Sequence, residues 1–344
     1  MPIDVLTSAA MRPALSVRAL AVRLAAVFGG RRTAIVLKLG VSLGLIALVG
    51  HSIDRNSLAE SLARQSPVWL GVTVLLGLLQ IGLLSLRWQM ILRALGAGSS
   101  LVSAVAVTFM GCFFGSFMFG PTGGDVARAV LAPPRSLGRT GIVHSVLFER
   151  FASTAGLGLA AVPVVAFSAA TLAHGLPLIV ALATVPLPFA AMAAIGWLAR
   201  IFRERSGTAF RALYELDDSL RRLYRRWPRF AIAVAIATLG QLLVAVEAWS
   251  LAQSQHLGVP LVDFALLMPP VMLLVVLPIS AGGWGVREGA LVAALALVGV
   301  DRTSALLLSV ELGLIGTLVA LPGGAIWLHR CLSRESSSRS NSVA

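Results

Sequence analysis

Long apolar runs separated by short, arginine-rich segments dominate the chain. Six runs, at 33–50, 68–86, 142–167, 176–198, 230–252 and 304–328, have the length that a helix needs to cross a hydrocarbon core. Two more, 101–134 and 261–300, are interrupted by glycine and proline, in GPTGGDVAR at 120–128 and LPISAGGWGVREG at 277–289. After the first break only about ten residues precede Pro133 and Pro134, whereas a crossing takes roughly 20 helical residues. Irregular backbone and charge at membrane depth persist only where protein covers them or where they line a watery cavity. Both interrupted runs are therefore read as re-entrant, broken-helix hairpins. The expected fold is an all-α polytopic membrane protein with six full transmembrane helices plus two re-entrant hairpins, for a hydropathy count of about eight.

Composition supports this class. Of 344 residues, 57% are hydrophobic and 12% charged, with a mean hydropathy of +0.88, which excludes a soluble domain. A net charge of +13 on a soluble chain would point to nucleic acid, but here the charge falls between apolar runs. With the N-terminus inside, the segments 1–32, 87–100, 120–141, 199–229 and 329–344 collect 22 of the 28 basic residues, and the outer segments hold only Arg55, Arg64 and Arg302. This is the positive-inside distribution, and no nucleic-acid partner is expected. If 101–134 crossed fully, the nine arginines of 199–229 would face outward, against the same rule. The expected organisation is a basic cytoplasmic segment (1–32), one transmembrane domain (33–328) with a basic cytoplasmic loop at 199–229, and a cytoplasmic tail (329–344). The setting is a bacterial inner membrane, multi-pass, with both termini cytoplasmic.

The topology has a symmetry that was not imposed on it. Each half, about 33–168 and 176–328, reads span, span, hairpin, span, but the first starts inside and the second outside. That is an inverted repeat, the plan of secondary transporters whose substrate site lies where broken helices meet. Sequence echoes accompany it: Gln80 and Gln241 each precede a tryptophan by eight residues, and Ser145-Val146 and Ser309-Val310 lead to Glu149 and Glu311.

The candidate chemistry lies in the two breaks. A returning helix is expected to start near Gly124 in one and near Gly285 in the other, and a helix start with free N–H groups attracts an anion. Gly282 and Gly283 would let a headgroup approach the backbone, with Ser280 beside them. Arg128 and Arg287 can grip phosphate oxygens in a bidentate way. Asp125 and Glu288 can cap these helices, bind an amine or proton, or simply pair with Arg128 and Arg287 to stabilise the tips. With Glu149, Arg150 and Glu311, seven charges are expected near one plane, sharing one polar pocket. Glu247 reads as interfacial. The dispersed histidines and the two cysteines, Cys112 and Cys331, lack metal-ligand spacing, and no metal or cofactor is expected. No nucleotide-binding or hydrolase motif occurs, so no enzymatic activity is expected.

The two breaks also resemble the motifs of a known family, the lysylphosphatidylglycerol synthase transmembrane region, a flippase-like group. The resemblance rests on Pro121, Gly124, Asp125 and Arg128; on Pro278, Ser280, Gly282, Gly283, Gly285, Arg287 and Glu288; on the Glu149-Arg150 pair; and on Pro322-Gly323-Gly324. It covers about 33–330, with Ser153 standing where the family pattern expects an acid. It implies an integral membrane lipid translocator moving a phospholipid, aminoacyl-phospholipid, polyprenyl-linked or hopanoid-type lipid between leaflets, with membrane lipids and a separate lipid-synthesis enzyme as partners. Because the chain ends soon after the last span, synthesis of the lipid is not expected of it. The alternatives are a secondary transporter of a small anionic solute and a membrane enzyme or partner in lipid or glycolipid synthesis.

Overall fold

The computed structural model describes residues 65–117, 120–133, 137–167, 183–276 and 285–343. They form ten helices and no strand among the described residues: α1 (Pro67–Ala94), α2 (Leu101–Phe117), α3 (Gly120–Leu131), α4 (Gly138–Phe167), α5 (Pro186–Ile201), α6 (Thr208–Arg225), α7 (Trp227–Ser254), α8 (Leu261–Val276), α9 (Val286–Ala296) and α10 (Arg302–Val343). The first expected span, 33–50, the loop after it up to 64, and the start of the fourth span lie outside the described residues.

Among the described residues three helices are long and apolar enough to cross a membrane: α1, α7 and the Arg302–Ser333 part of α10. α4 has the length, 30 residues, but carries Arg139, Glu149 and Arg150 in its first half. Proline sits in the first turn of α1 and of α7, where its missing N–H costs nothing. At the other end of α1, Arg226 and Arg229 donate to the carbonyl of Arg93 (2.7 and 3.2 Å), closing an otherwise orphaned acceptor.

α1 and α7 form the central pair and run antiparallel. Ser66 N–H donates to the Ser254 carbonyl, the hydroxyls of Thr73 and Ser250 share a hydrogen bond of 2.8 Å, and Trp69 meets Trp249 edge-on at 5.5 Å. Further along, Gln80 lies over Gly240, and Arg226 reaches Arg93. Around this pair α2 packs on α1, α3 and α10, and α8 packs on α7, α9 and α4.

Two of the buried apolar clusters lie on this pair. At the Pro67 end, Ala248, Leu251, Phe264, Met268, Leu291 and Leu308 are buried together; at the Arg93 end, Ile91, Leu95, Phe148, Ala152 and Phe230. The amphipathic α6 completes the second by inserting Leu220 and Leu223, while its charged face carries the pairs Arg221–Asp217 and Arg222–Asp218. The Arg222–Asp218 pair is exposed and adds only tenths of a kcal/mol, roughly, whereas Asp217 is itself buried.

The first interrupted run folds as the hairpin α2–α3. α2 ends at Phe117 and α3 begins at Gly120, so that GPTGGD forms the first turns of α3 instead of a break. Pro121, in the first turn, tolerates this placement for the same reason as Pro67. At its far end α3 is capped by Arg139, whose Nη1 donates to the carbonyls of Ala129, Val130 and Ala132 at 2.9 to 3.1 Å. In the second run α8 and α9 pack together, and α9 starts at Gly285 as expected. With 12 and 11 residues, α3 and α9 are about 18 and 16 Å long, well short of a ~30 Å core.

Candidate functional site

α2 and α3 approach each other through glycine. A methyl on Gly124 would lie 2.7 Å from the Gly111 carbonyl oxygen, and one on Gly111 would lie 2.5 Å from Cγ of Arg128. Only hydrogen fits at both positions, and the contact lays the Arg128 side chain flat along α2. Its guanidinium ends 5.6 Å from the Trp88 ring centroid, a cation–π arrangement, while the Trp88 indole N–H donates to Ser145 Oγ at 3.1 Å.

Five charges meet here. Arg128 Nη2 pairs with Oε2 of Glu149 at 2.5 Å and also with Asp125 Oδ1. The other oxygen of Glu149 takes both Nε (3.1 Å) and Nη2 of Arg87. Asp125 Oδ2 accepts from Arg150 Nε at 2.5 Å. Glu149 and Arg128 are almost fully buried, whereas the Arg150 side chain is 32% exposed, so the network reaches the surface along α4. Three arginines face two carboxylates, an excess of one positive charge. The expected local pair Asp125–Arg128 exists, but it is one link in a chain spanning α1, α3 and α4. Buried ion pairs add little net stability, and a group this size in a membrane marks a functional site by default.

The second break builds a smaller group. Gly285 precedes α9 with φ +86°, a conformation natural to glycine, and its N–H donates to Glu288 Oε2 at 2.5 Å, the half of a capping box that a glycine can make. Oε1 of Glu288 accepts from Arg287 Nη2 at 2.5 Å. The Arg287 guanidinium presses on Gly313 of α10, where any Cβ would overlap it. Two residues earlier on α10, Glu311 accepts from the side-chain amides of Gln255 (2.8 Å) and Gln65.

The structure thus brings Asp125, Arg128, Glu149 and Arg150 together around Gly124, and places Gly285, Arg287 and Glu288 beside α10 near Glu311. It does not put all seven charges in one plane. Glu149 is bonded to Arg87 and Glu311 to Gln65, and the 20 helical residues from Pro67 to Arg87 span about 30 Å. The two groups therefore occupy opposite ends of α1, and a single shared pocket is ruled out for Glu149 and Glu311. Ser280, Gly282 and Gly283 lie outside the described residues. Glu247, read as interfacial, is buried inside the bundle: it is 8% exposed, with Oε1 against Gly77 of α1.

Arg87, Trp88 and Gly111 were missed. Arg87-Trp88 looked like an interfacial end of a span, and only the fold shows that it turns inward. Gly111 had a signal: with Gly115 it forms the small-xxx-small spacing by which membrane helices approach closely, and Gly124 lies against both. No cluster of metal-ligating side chains occurs among the described residues.

Apolar crossing helices around buried arginine–carboxylate groups define a polytopic membrane protein with charged sites inside its bundle. Comparison with family models adds the relationship: the lysylphosphatidylglycerol synthase TM region matches residues 35–324, and the chain belongs to that family. A comparison with curated proteins found no match. The protein is accordingly a membrane protein of a lipid-related family.

Proposed function

We propose that the protein is a non-enzymatic lipid translocator that holds an anionic headgroup at the arginine cluster while the acyl chains stay in the bilayer. The observation that carries this reading is the cluster itself: three arginines against two carboxylates, built on a half-length helix and open along Arg150. One excess positive charge matches one phosphodiester, and the guanidinium fork suits its oxygens. A bundle-buried network without this excess would be scaffolding.

The expected inverted repeat is part of the proposal, and the pattern of helix contacts supports it. α2 packs on α10 as α8 packs on α4; α3 packs on α4 as α9 packs on α10; α4 packs on α7 as α10 packs on α1. The antiparallel α1–α7 pair is its own counterpart, meeting at Gln80 and Gly240, beside the Gln80–Gln241 echo. On this reading the arginine cluster faces the cytoplasmic side and the Arg287–Glu288 group the outer side. Each would then be the entry site for one leaflet, joined by rocking of the halves.

The test is analysis of the lipids of each leaflet in cells with and without the protein. Translocation predicts an anionic lipid redistributed between leaflets at constant total amount. A change in total amount with a new lipid product would instead support a membrane enzyme, and an unchanged bilayer would support transport of a soluble anion.

A further inference from the structure

Glu247 is buried where α1, α7 and α10 meet, 8% exposed, with Gly77 of α1 making room for it. A methyl on Gly77 would sit 3.1 Å from Oε1 of Glu247 and 3.3 Å from Val319 of α10. Among the described residues no cation and no hydrogen-bond donor faces its carboxyl. The nearby hydroxyls are committed elsewhere: Thr73 bonds Ser250, and Ser250 donates to the backbone carbonyl of Glu247 at 2.8 Å. The charged and titratable residues of the packing helices lie at other levels. Arg87 and Arg93 of α1, Arg229 of α7, Arg139, His144, Glu149 and Arg150 of α4 and His329 and Arg330 of α10 belong to the Arg93 end, and Cys112 of α2 lies beside the arginine cluster; Asp263 of α8, Arg287 and Glu288 of α9 and Arg302 of α10 lie at the opposite mouth.

Glu311 marks that mouth. It is held by Gln65 and Gln255 on the same α1–α7–α10 contact, eight residues along α10 from Val319, or about 12 Å. The contact therefore carries two acids in series, one at its rim and one deeper and unpaired. A scaffolding role does not account for Glu247, because an apolar side chain would pack there without the penalty of an unsatisfied carboxyl. Nor does a bound metal ion, since one carboxylate supplies at most two of the four to eight ligands that zinc, magnesium or calcium takes. A proton is the ligand that one isolated carboxyl can bind.

We propose that Glu247 is a proton site, loaded past Glu311 and emptied when α1, α7 and α10 part, through which the transmembrane proton gradient drives the protein's cycle. One carboxylate oxygen gains the proton and the same oxygen releases it; no other bond changes. The coupling half of the proposal rests on the translocator reading, whereas proton binding at Glu247 does not.

Infrared spectra of the protein in phosphatidylcholine–phosphatidylglycerol vesicles at neutral pH test the binding. The carbonyl stretch of a neutral carboxylic acid should be present in the wild type, retained in shifted form in Glu247→Asp, and lost in Glu247→Gln. An identical carbonyl region in wild type and Glu247→Gln would overturn the site, including the case of a cation paired with it. The coupling is read in the same vesicles as the rate at which fluorescent phosphatidylglycerol changes leaflet, with the outer-mouth side acidified by about one unit. Such a gradient is worth up to roughly tenfold per coupled proton. The wild type should accelerate severalfold and Glu247→Gln should ignore the gradient. Equal wild-type rates with and without the gradient would overturn the coupling. No wild-type lipid movement at all would defeat the translocator reading and the coupling with it, leaving the infrared result to decide the proton site by itself.

Discussion

Replacing Gly124 by alanine tests whether the α2–α3 contact holds the arginine cluster in place. The added methyl would lie 2.7 Å from the Gly111 carbonyl oxygen, about 0.7 Å inside the 3.4 Å at which ordinary contact begins. The partner is backbone on a packed helix, so the hairpin must open by a similar amount. Arg128, one turn on and on the same face, moves with Gly124, which stretches its pair with Glu149. Overpacking of this kind costs about 1–3 kcal/mol, but alanine also gains up to about 1 kcal/mol of helix propensity. Gly82→Ala in α1, where nothing lies within 4 Å, has the same propensity gain and no clash. The difference between the two variants therefore isolates the clash. At roughly 1–2 °C per kcal/mol for 344 residues, from an unfolding entropy of about 2.1 cal/mol/K per residue, Gly124→Ala should unfold roughly 1–6 °C below Gly82→Ala. The assay is thermal unfolding of the purified proteins in detergent, followed by tryptophan fluorescence, to which the buried Trp88 contributes. Equal midpoints would refute the argument that this glycine contact supports the site.

Further expectations follow from the same geometry. Glu149→Gln leaves Arg87 and Arg128 without their shared counter-charge and should cost about 3–5 kcal/mol in chemical unfolding; adding Arg87→Met should recover part of it, and strict additivity would argue against the network. Asp301 caps α10 through the N–H groups of Thr303 and Ser304, both at 3.0 Å, so Asp301→Ala should cost about 1 kcal/mol at neutral pH. Burial opposes ionisation of Asp301, but the hydrogen bonds from Ser304 and Thr303 outweigh it and hold the carboxyl below its ordinary value. Its stabilisation is then full above the ordinary aspartate range and lost as pH falls through the lowered value, so the variant and wild type should converge only in acid. In a background without Cys112 and Cys331, Arg302→Cys should react with an impermeant thiol reagent in intact cells and Ser206→Cys only after lysis; the reverse pattern would invert the proposed sidedness.

The apolar pattern was enough to find α1, α7 and the first part of α10, the three described helices long and apolar enough to cross, because in lipid the backbone must satisfy itself and a long apolar run has few alternatives to a helix. Gly285 was legible as a helix start, since it ends the glycine-rich break and Glu288 stands where a carboxylate can cap the first turn. The bend of the first hairpin was not: proline and glycine in GPTGGD signal a break, yet proline in a first turn is equally a helix opener, and the chain uses it so. Which charges meet was only half legible. Asp125 with Arg128 and Glu288 with Arg287 are local pairs, but Arg87 with Glu149 joins residues 62 apart in sequence, and nothing local fixes the rotation of α1. The same limitation misplaced Glu311 relative to Glu149, and it hid the burial of Glu247, because position along an antiparallel pair depends on the α1–α7 register.

Reconstitution offers the most direct measurement of the central claim. A phospholipid with a labelled anionic headgroup, placed in one leaflet, is followed by its exposure to an impermeant quencher, with wild type and Arg128→Lys compared at equal protein. The account predicts movement faster than in protein-free vesicles. It also predicts a loss of roughly tenfold for lysine, which keeps the charge but not the bidentate fork. A wild-type rate equal to that of protein-free vesicles, or an Arg128→Lys rate equal to the wild type, would contradict it.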